Sequence, residues 1–297
     1  MPSPGMTVWR SLALGLALAL GAGPAAAQDA QPAEPGSPFE IDLALDLPVL
    51  GVAAAAWVVP FAFGDEGSGA PCGAACDPAG LNALDRTVVG NRSPLAATLS
   101  DAFVGVSLAL PFALDLLDVL VSDPPDGLAG YGVDALVLAE ALAVNLALNQ
   151  AVKYAVRRPR PYAYDPSLGP AGRTAGDAGL SFYSGHTASA FCAATAYATL
   201  FSLRHPDSGW VAPVWLATHA LAASTAYLRV HAGKHFWTDV IAGALVGSGV
   251  GALIPLVHRR SGPAVARGLD EAAEPGLRLE IAPLLLPGGG GLVLGLR

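Results

Sequence analysis

Residues 133–161 read VDALVLAEALAVNLALNQAVKYAVRRPRP. The first part, Val133–Val152, is an apolar run of the ~20 residues a helix needs to cross a bilayer. Glu140, Asn145 and Asn149 interrupt it. Such groups are costly against lipid, so they are expected to face a bundle interior or an aqueous cavity. Asn145, Asn149 and Lys153 recur every fourth residue and share one helix face. That face is polar, points inward and ends on a lysine, followed by Arg157, Arg158, Pro159 and Arg160.

Working outward, further apolar segments run over Leu47–Phe63, Ala102–Val121, Thr187–Leu203, Trp210–Leu228 and Phe236–Val257. Asp115 and Asp118 interrupt the Ala102 segment and His219 the Trp210 segment, again pointing to buried polar faces. Gly243, Gly247 and Gly251 give overlapping small-xxx-small spacings, which let helix backbones approach closely. The 297 residues are 53% hydrophobic and 13% charged, with a mean hydropathy of +0.49. A soluble domain carries roughly 25% charged residues. The fold class is therefore read as all-α, a polytopic membrane bundle of about six apolar helices. A formal charge of −8 without a basic tail argues against nucleic acid as a partner.

Arg10, the apolar Leu12–Leu20 and Ala25–Ala27 before Gln28 read as an export signal over residues 1–27, cleaved before Gln28. Residues 28–44 read as a polar N-terminal tail, 45–258 as the membrane-embedded domain, and 259–297 as a C-terminal linker and tail. In that tail, Leu277–Ile281 and Leu292–Leu296 flank a turn at Pro287–Gly291, the pattern of a small β-hairpin. Cys72 and Cys76 sit close together in a Gly/Pro-rich loop and can pair in an oxidising compartment. Two cysteines without a histidine are too few for zinc. Cys192, in an alanine-rich stretch, reads as packing.

Three polar clusters fall at segment ends. Lys153 to Pro161 closes the Val133 segment, Ser184-Gly185-His186 opens the Thr187 segment, and Arg229, His235 and Asp239 bridge the last two. Antiparallel spans bring all three to one membrane side. Lys153, Arg160 and Arg229 then offer cations, and arginine's planar fork suits phosphate oxygens. Ser184 and Gly185 precede a helix, where free backbone N–H groups and the dipole favour an anion. His235 and Asp239, four apart, share a face, so the carboxylate can fix the ring tautomer and leave the other nitrogen to attack. His186 is placed to protonate a leaving alkoxide. Each piece has a plainer reading, as a positive-inside cluster, a snorkelling arginine or a helix cap. The conjunction of spacings at matching segment ends favours phosphoryl transfer.

The order Lys153, six residues, Arg160-Pro161, then Ser184-Gly185-His186, then Arg229, five residues, His235, three residues, Asp239 resembles the signature of the type-2 phosphatidic acid phosphatase superfamily. Vanadium haloperoxidases and glucose-6-phosphatase-like enzymes share it. The resemblance covers Val133 to Val257. It implies that Lys153, Arg160, Arg229 and the backbone at Ser184 and Gly185 bind phosphate. It also implies that His235 is the nucleophile, Asp239 its orienter and His186 the general acid, with no metal and no cofactor. Two positions depart from the pattern: Tyr183 replaces the usual proline before Ser-Gly-His, and Leu228 the usual serine before Arg229.

The expected activity is a metal-independent phosphatase acting on a phosphate monoester or pyrophosphate through a phosphohistidine. Phosphatidate, phosphatidylglycerol phosphate, undecaprenyl pyrophosphate and a lipid A phosphate all suit a clamp at a bilayer surface. Rival readings are a vanadium-dependent haloperoxidase, a lipid phosphotransferase and a membrane transporter. The last is opposed by the absence of an inverted repeat and by charges gathered at one face. The expected location is a bacterial-type inner membrane, crossed several times, with the site facing the periplasm. That orientation requires one early segment not to span, and Leu47–Phe63, short and carrying Pro60, is the natural one. Nothing in the sequence fixes the oligomeric state.

Overall fold

The computed structural model describes residues 37–63, 69–73, 76–174, 176–260, 279–286 and 289–296. The export signal at 1–27, most of the polar tail and much of 259–297 lie outside the described residues. In chain order the helices are α1 (Leu43–Phe63), α2 (Ala83–Arg86), α3 (Pro94–Ser122), α4 (Gly127–Val156), α5 (Pro170–Arg173), α6 (Gly185–Arg204), α7 (Val211–His231) and α8 (Trp237–Val257). The unit ending at Arg259 holds all of them, and Arg260–Arg297 forms a second unit. In the second unit β1 (Leu279–Leu286) pairs antiparallel with β2 (Gly289–Leu296), from Leu279 opposite Leu296 to Leu286 opposite Gly289. Both strands are longer than the sequence pattern suggests, and residues 287–288 between them lie outside the described residues.

Helix ends follow local chemistry. Ser93 caps α3 by accepting the Ala96 N–H at 3.2 Å, and Pro94 occupies the first helical position, where its missing N–H costs nothing. At the other end of α4, Arg157 turns into the left-handed region (φ 49°), and Pro159 then forbids continuation.

Each of the six apolar segments lies on a helix. Three of these helices, α3, α4 and α8, are long and apolar enough to cross a membrane. The described part of α1, Leu43–Val58, is a shorter apolar helix. Of the expected six or so membrane helices, α3, α4 and α8 meet the length and composition of a span among the described residues. The reason is clearest for α6. It packs against α3, α4, α7 and α8, and Ala188, Ala190, Ala193, Ala196 and Ala198 are all fully buried. A helix enclosed by other helices has no lipid face to keep apolar, so it tolerates Thr187, Ser189 and Thr195.

The polar interruptions face inward. Asn145 and Asn149 are buried; Asn145 Nδ2 lies 3.4 Å from Ser189 Oγ on α6, and Asn149 Nδ2 donates to the Tyr183 carbonyl at 2.9 Å. Asp118 pairs with His205 at 2.7 Å, and His219 Nε2 meets Thr195 Oγ1 at 3.1 Å. Arg204, at the end of α6, is held by Asp126 and Asp134 from the start of α4.

The closest helix contact is between α6 and α8. A Cβ added at Gly243, Gly247 or Gly251 would lie 2.8, 2.2 or 2.5 Å from the carbonyl oxygens of Ser184, Ala188 and Cys192. Both series advance by four residues in the same direction, so the helices run parallel, with bare backbone against bare backbone. Gly249, on the opposite face of α8, has nothing within 4 Å of an added Cβ. Gly247→Ala should therefore destabilise the protein by about 1–3 kcal/mol through overpacking. Gly249→Ala should leave it unchanged or slightly stabilised, since alanine gains up to about 1 kcal/mol over glycine in a helix. Thermal unfolding of the two variants in detergent checks the contrast.

Candidate active site

The sequence clusters meet at one end of the bundle. Arg158, preceding Pro159, is confined to extended backbone, so Arg158 and Arg160 flank the proline along an extended stretch. Arg158 donates to Asp239 Oδ1 and Thr238 Oγ1 through Nη1, and to Asp85 Oδ2 through Nη2 at 2.7 Å. Its guanidinium also lies 4.5 Å from the centroid of the Phe236 ring. Asp85, fully buried, takes further bonds from Thr238 N, Thr238 Oγ1 and Asn82 Nδ2. Burial pushes its carboxyl up, but the hydrogen bonds from Thr238 and Arg158 outweigh that and hold it below the usual range. Arg158 thus locks the start of α8 to α2.

Arg160, 3% exposed, faces the chemistry. It donates to the Lys234 carbonyl at 2.8 Å and the Asp177 carbonyl at 3.1 Å, forms an ion pair with the Asp177 carboxylate, and places Nη1 3.1 Å from His235 Nε2. His235 is buried, with Nδ1 2.9 Å from the Ser181 carbonyl oxygen. A carbonyl only accepts, so Nδ1 carries the hydrogen and Nε2 holds a lone pair, towards which Arg160 points a donor. Burial, then the charges of Arg160, Arg229 and Lys153, press the His235 imidazole well below its ordinary pKa, which keeps it neutral.

This arrangement revises the reading of Asp239. Its Oδ2 is 3.7 Å from His235 Nδ1, beyond hydrogen-bond reach. The same oxygen accepts Ser181 Oγ and, at 2.9 Å, the Phe236 N–H. The i, i+4 spacing does put Asp239 on the face of His235. In the first turn of α8, however, the uncapped Phe236 N–H is the nearer donor, and the carboxylate caps it. Asp239 holds the Ser181 segment and the helix start, and the Ser181 main chain orients the ring.

Ser184 also differs from expectation. Its N–H donates to the Asp239 carbonyl at 3.1 Å, and its Oγ caps α6 at the Thr187 N–H. The Ser184 amide is thus engaged within the protein. The Gly185 amide, at the first helical position, has no intrahelical acceptor. A Cβ at Gly185 would sit 2.8 Å from Asn149 Oδ1 and 3.6 Å from Lys153 Nζ, so the missing side chain brings the Lys153 ammonium against this turn. The next turn, which presents His235, depends on Gly233. Its φ is +66°, and a Cβ there would lie 1.9 Å from the Asn91 carbonyl oxygen.

Two carboxylates that sequence reasoning missed stand among the cations. Asp101, from α3, has Oδ1 2.8 Å from His186 Nε2 and 3.1 Å from Arg229 Nη1. A carboxylate facing Nε2 means that this nitrogen carries hydrogen. Arg229 also reaches Ser100 Oγ at 3.2 Å, while its buried Nε has no hydrogen-bond partner among the described residues. Asp177, in the loop before α6, has its side chain 56% exposed and pairs with Arg160. Desolvation opposes ionisation there, but Arg160, then Lys153, His235 and Lys234, outweigh it and hold the carboxyl well below the usual range. No spacing rule connects Asp101 or Asp177 to the histidines, and Ser181 acts through its backbone, which leaves no trace in sequence.

Cys72 and Cys76 form a disulfide. Cys76 packs with Ala163 and Ala178, and its carbonyl accepts Arg173 Nη2 at 3.0 Å, so this loop braces the segment carrying Asp177. One group with metal-ligand geometry among the described residues, Asp46, Glu140 and His258, shares no member with this cluster.

Fold and site together define a helical membrane protein with a cationic, histidine-bearing cluster at one end of its bundle. Residues 134–263 match the family model of the PAP2 superfamily. A solved structure, that of a transmembrane PAP2-type phosphatidylglycerolphosphate phosphatase from Bacillus subtilis, is similar at 18% identity and a TM-score of 0.41. The match covers 77% of this chain and 98% of that chain. No curated protein matches.

Removing Arg158 would strand the buried carboxylates of Asp85 and Asp239. Arg158→Met is expected to cost about 3–5 kcal/mol, the usual effect of breaking a buried pair from one side. Asp85→Asn in the same chain should recover part of that loss. Thermal unfolding of the single and double variants in detergent checks both.

Proposed function

We propose that the protein is a metal-independent lipid phosphatase that works through a phosphohistidine at His235. The observation that carries this reading is a buried, neutral imidazole whose lone pair on Nε2 faces a cradle of cations. Lys153, Arg160 and Arg229, with the Gly185 amide, match the charge and shape of a phosphate group.

An incoming phosphate takes Arg160 from Asp177, which frees His235 Nε2. That nitrogen attacks phosphorus as the ester P–O bond breaks, and His186, protonated on both ring nitrogens in the phosphate complex, passes its Nδ1 proton to the leaving oxygen while Nε2–H stays on Asp101. Nδ1–H stays on the Ser181 carbonyl, and Asp239, at 3.7 Å, offsets the positive charge that develops on the ring. Water then attacks phosphorus and gives its proton to His186. The products are inorganic phosphate and neutral His235. Asp101 holds His186 in place for both steps.

A lipid substrate is supported by the surroundings. An apolar groove of about 470 Å³ between α3 and α7 is lined by Leu99, Phe103, Tyr227 and Leu228, next in sequence to Ser100 and Arg229 of the clamp. Leu228, where related signatures carry serine, lines this groove and fits an acyl or prenyl chain. The Cys72–Cys76 disulfide beside the site favours an oxidising compartment, hence the periplasmic face of an inner membrane.

Purified protein in detergent should release phosphate from lipid phosphates in excess EDTA, and His235→Ala should abolish release. Release that stops with EDTA, or survives in the variant, would count against the mechanism. Because the His235 pKa is depressed, the acid limb of kcat/KM should lie below the ordinary histidine value. Protonation of Nε2 ends attack, so activity persists as pH falls through about 6.5 and is lost only at lower pH. A pH profile corrected for the substrate's own ionisation tests this, and a limb at or above that value contradicts it. Asp177→Asn removes the competing carboxylate, so KM should fall several-fold. A raised KM would show that Asp177 assists binding instead.

A further inference from the structure

Far from the phosphate clamp, three buried side chains converge from separate helices. Asp46 lies in the first turn of α1, Glu140 in the middle of α4, and His258 just after α8. They are 4%, 5% and 7% exposed. Glu140 precedes Lys153 by 13 residues on one helix, or about 20 Å at 1.5 Å per residue. We propose that Asp46, Glu140 and His258 bind a divalent transition metal ion, best matched by zinc, that clips α1 to α4 and α8.

Distances decide between an ion and a simple salt bridge. His258 Nε2 lies 3.5 Å from Asp46 Oδ1 and 3.3 Å from Glu140 Oε2, and the three donor atoms fall within 4.8 Å of one another. A charge-assisted hydrogen bond closes to about 2.7–2.9 Å, so these separations are too long for a settled imidazolium–carboxylate pair. Tetrahedral zinc with bonds of about 2.1 Å spaces its ligands about 3.4 Å apart, close to both histidine–carboxylate separations.

The orientation of the ring agrees. His258 Nδ1 lies 2.9 Å from the Ile254 carbonyl oxygen, so Nδ1 carries a hydrogen and Nε2 is the nitrogen turned to the carboxylates, the one a metal ion would take. A ligating histidine fixed by a backbone carbonyl is the usual second shell of a metal site. Asp46 is oriented in the same way, its other oxygen accepting the Asp42 N–H at 2.8 Å. Glu140 Oε2 is buried with no hydrogen-bond partner among the described residues. No lysine or arginine forms an ion pair with either carboxylate among the described residues. Two buried carboxylates share one imidazole; an imidazolium would offset only one of their charges, whereas a divalent ion offsets both. Three protein ligands leave the fourth position to water.

The site is independent of the phosphatase reading and is tested without an activity assay. The full chain, carrying an affinity tag without histidine, is stripped with EDTA in detergent, loaded with zinc and dialysed. Wild type should retain about one ion per chain, and Glu140→Gln/His258→Ala less than a tenth of that. Zinc should raise the unfolding midpoint of wild type by several degrees and leave the double variant unmoved. Cobalt(II) loaded into wild type alone should give the intense visible absorption of tetrahedral coordination, a readout that does not need a folded variant. Equal zinc retention by both proteins, or a weak octahedral cobalt spectrum in wild type, would overturn the proposal.

Discussion

The contact between bare backbone on α6 and α8 sets the geometry of everything else. Gly243, Gly247 and Gly251 seat against the carbonyls of Ser184, Ala188 and Cys192. This fixes both the distance and the axial register of two parallel helices. His186 stands at the start of one, and His235 and Asp239 at the start of the other. The Ser184 N–H to Asp239 carbonyl bond closes the seam at the histidine end. Sliding one helix along the other would move His186 relative to His235 and unseat these glycines together.

The second constraint is electrostatic. Lys153, Arg160, Arg229 and Lys234 lie close enough to act on common partners. Such a cluster needs counter-charge in the absence of ligand, and Asp177 and Asp101 supply it from the two sides. Asp101 is fixed on α3, whereas Asp177 rides on an exposed loop. The two carboxylates therefore differ in how freely they can move away from the cations. Arg158 belongs to a separate network with Asp85, Asp239 and Phe236, so neighbouring arginines around Pro159 serve opposite purposes.

Much of this was legible in the sequence. Helical apolar segments, the inward face of Asn145 and Asn149, the small-residue stripe and the grouping of Lys153, Arg160, His186, Arg229 and His235 all follow from spacing and hydropathy. What escaped had specific causes. Six apolar segments read as about six membrane helices, with Leu47–Phe63 the natural one not to span, yet among the described residues α6 is enclosed by its neighbours and α3, α4 and α8 are the helices of membrane length and apolarity. Asp239 was placed on the correct face, but a helix-start N–H competes for its oxygen. The Ser184 amide was assigned to phosphate and is taken by Asp239. Asp101 and Asp177 lie far from the histidines in sequence, with no periodicity to join them.

The Ser181 carbonyl that orients His235 has a genetic consequence. Every residue type carries that oxygen, so no codon change at position 181 can delete the acceptor, only displace it. A lineage could therefore exchange the side chain at 181 freely with respect to ring tautomer, while the hydroxyl partner of Asp239 came and went. The histidine's orientation is buffered against point mutation in a way that a side-chain orienter would not be, and drift in this segment would be read in stability before it was read in turnover.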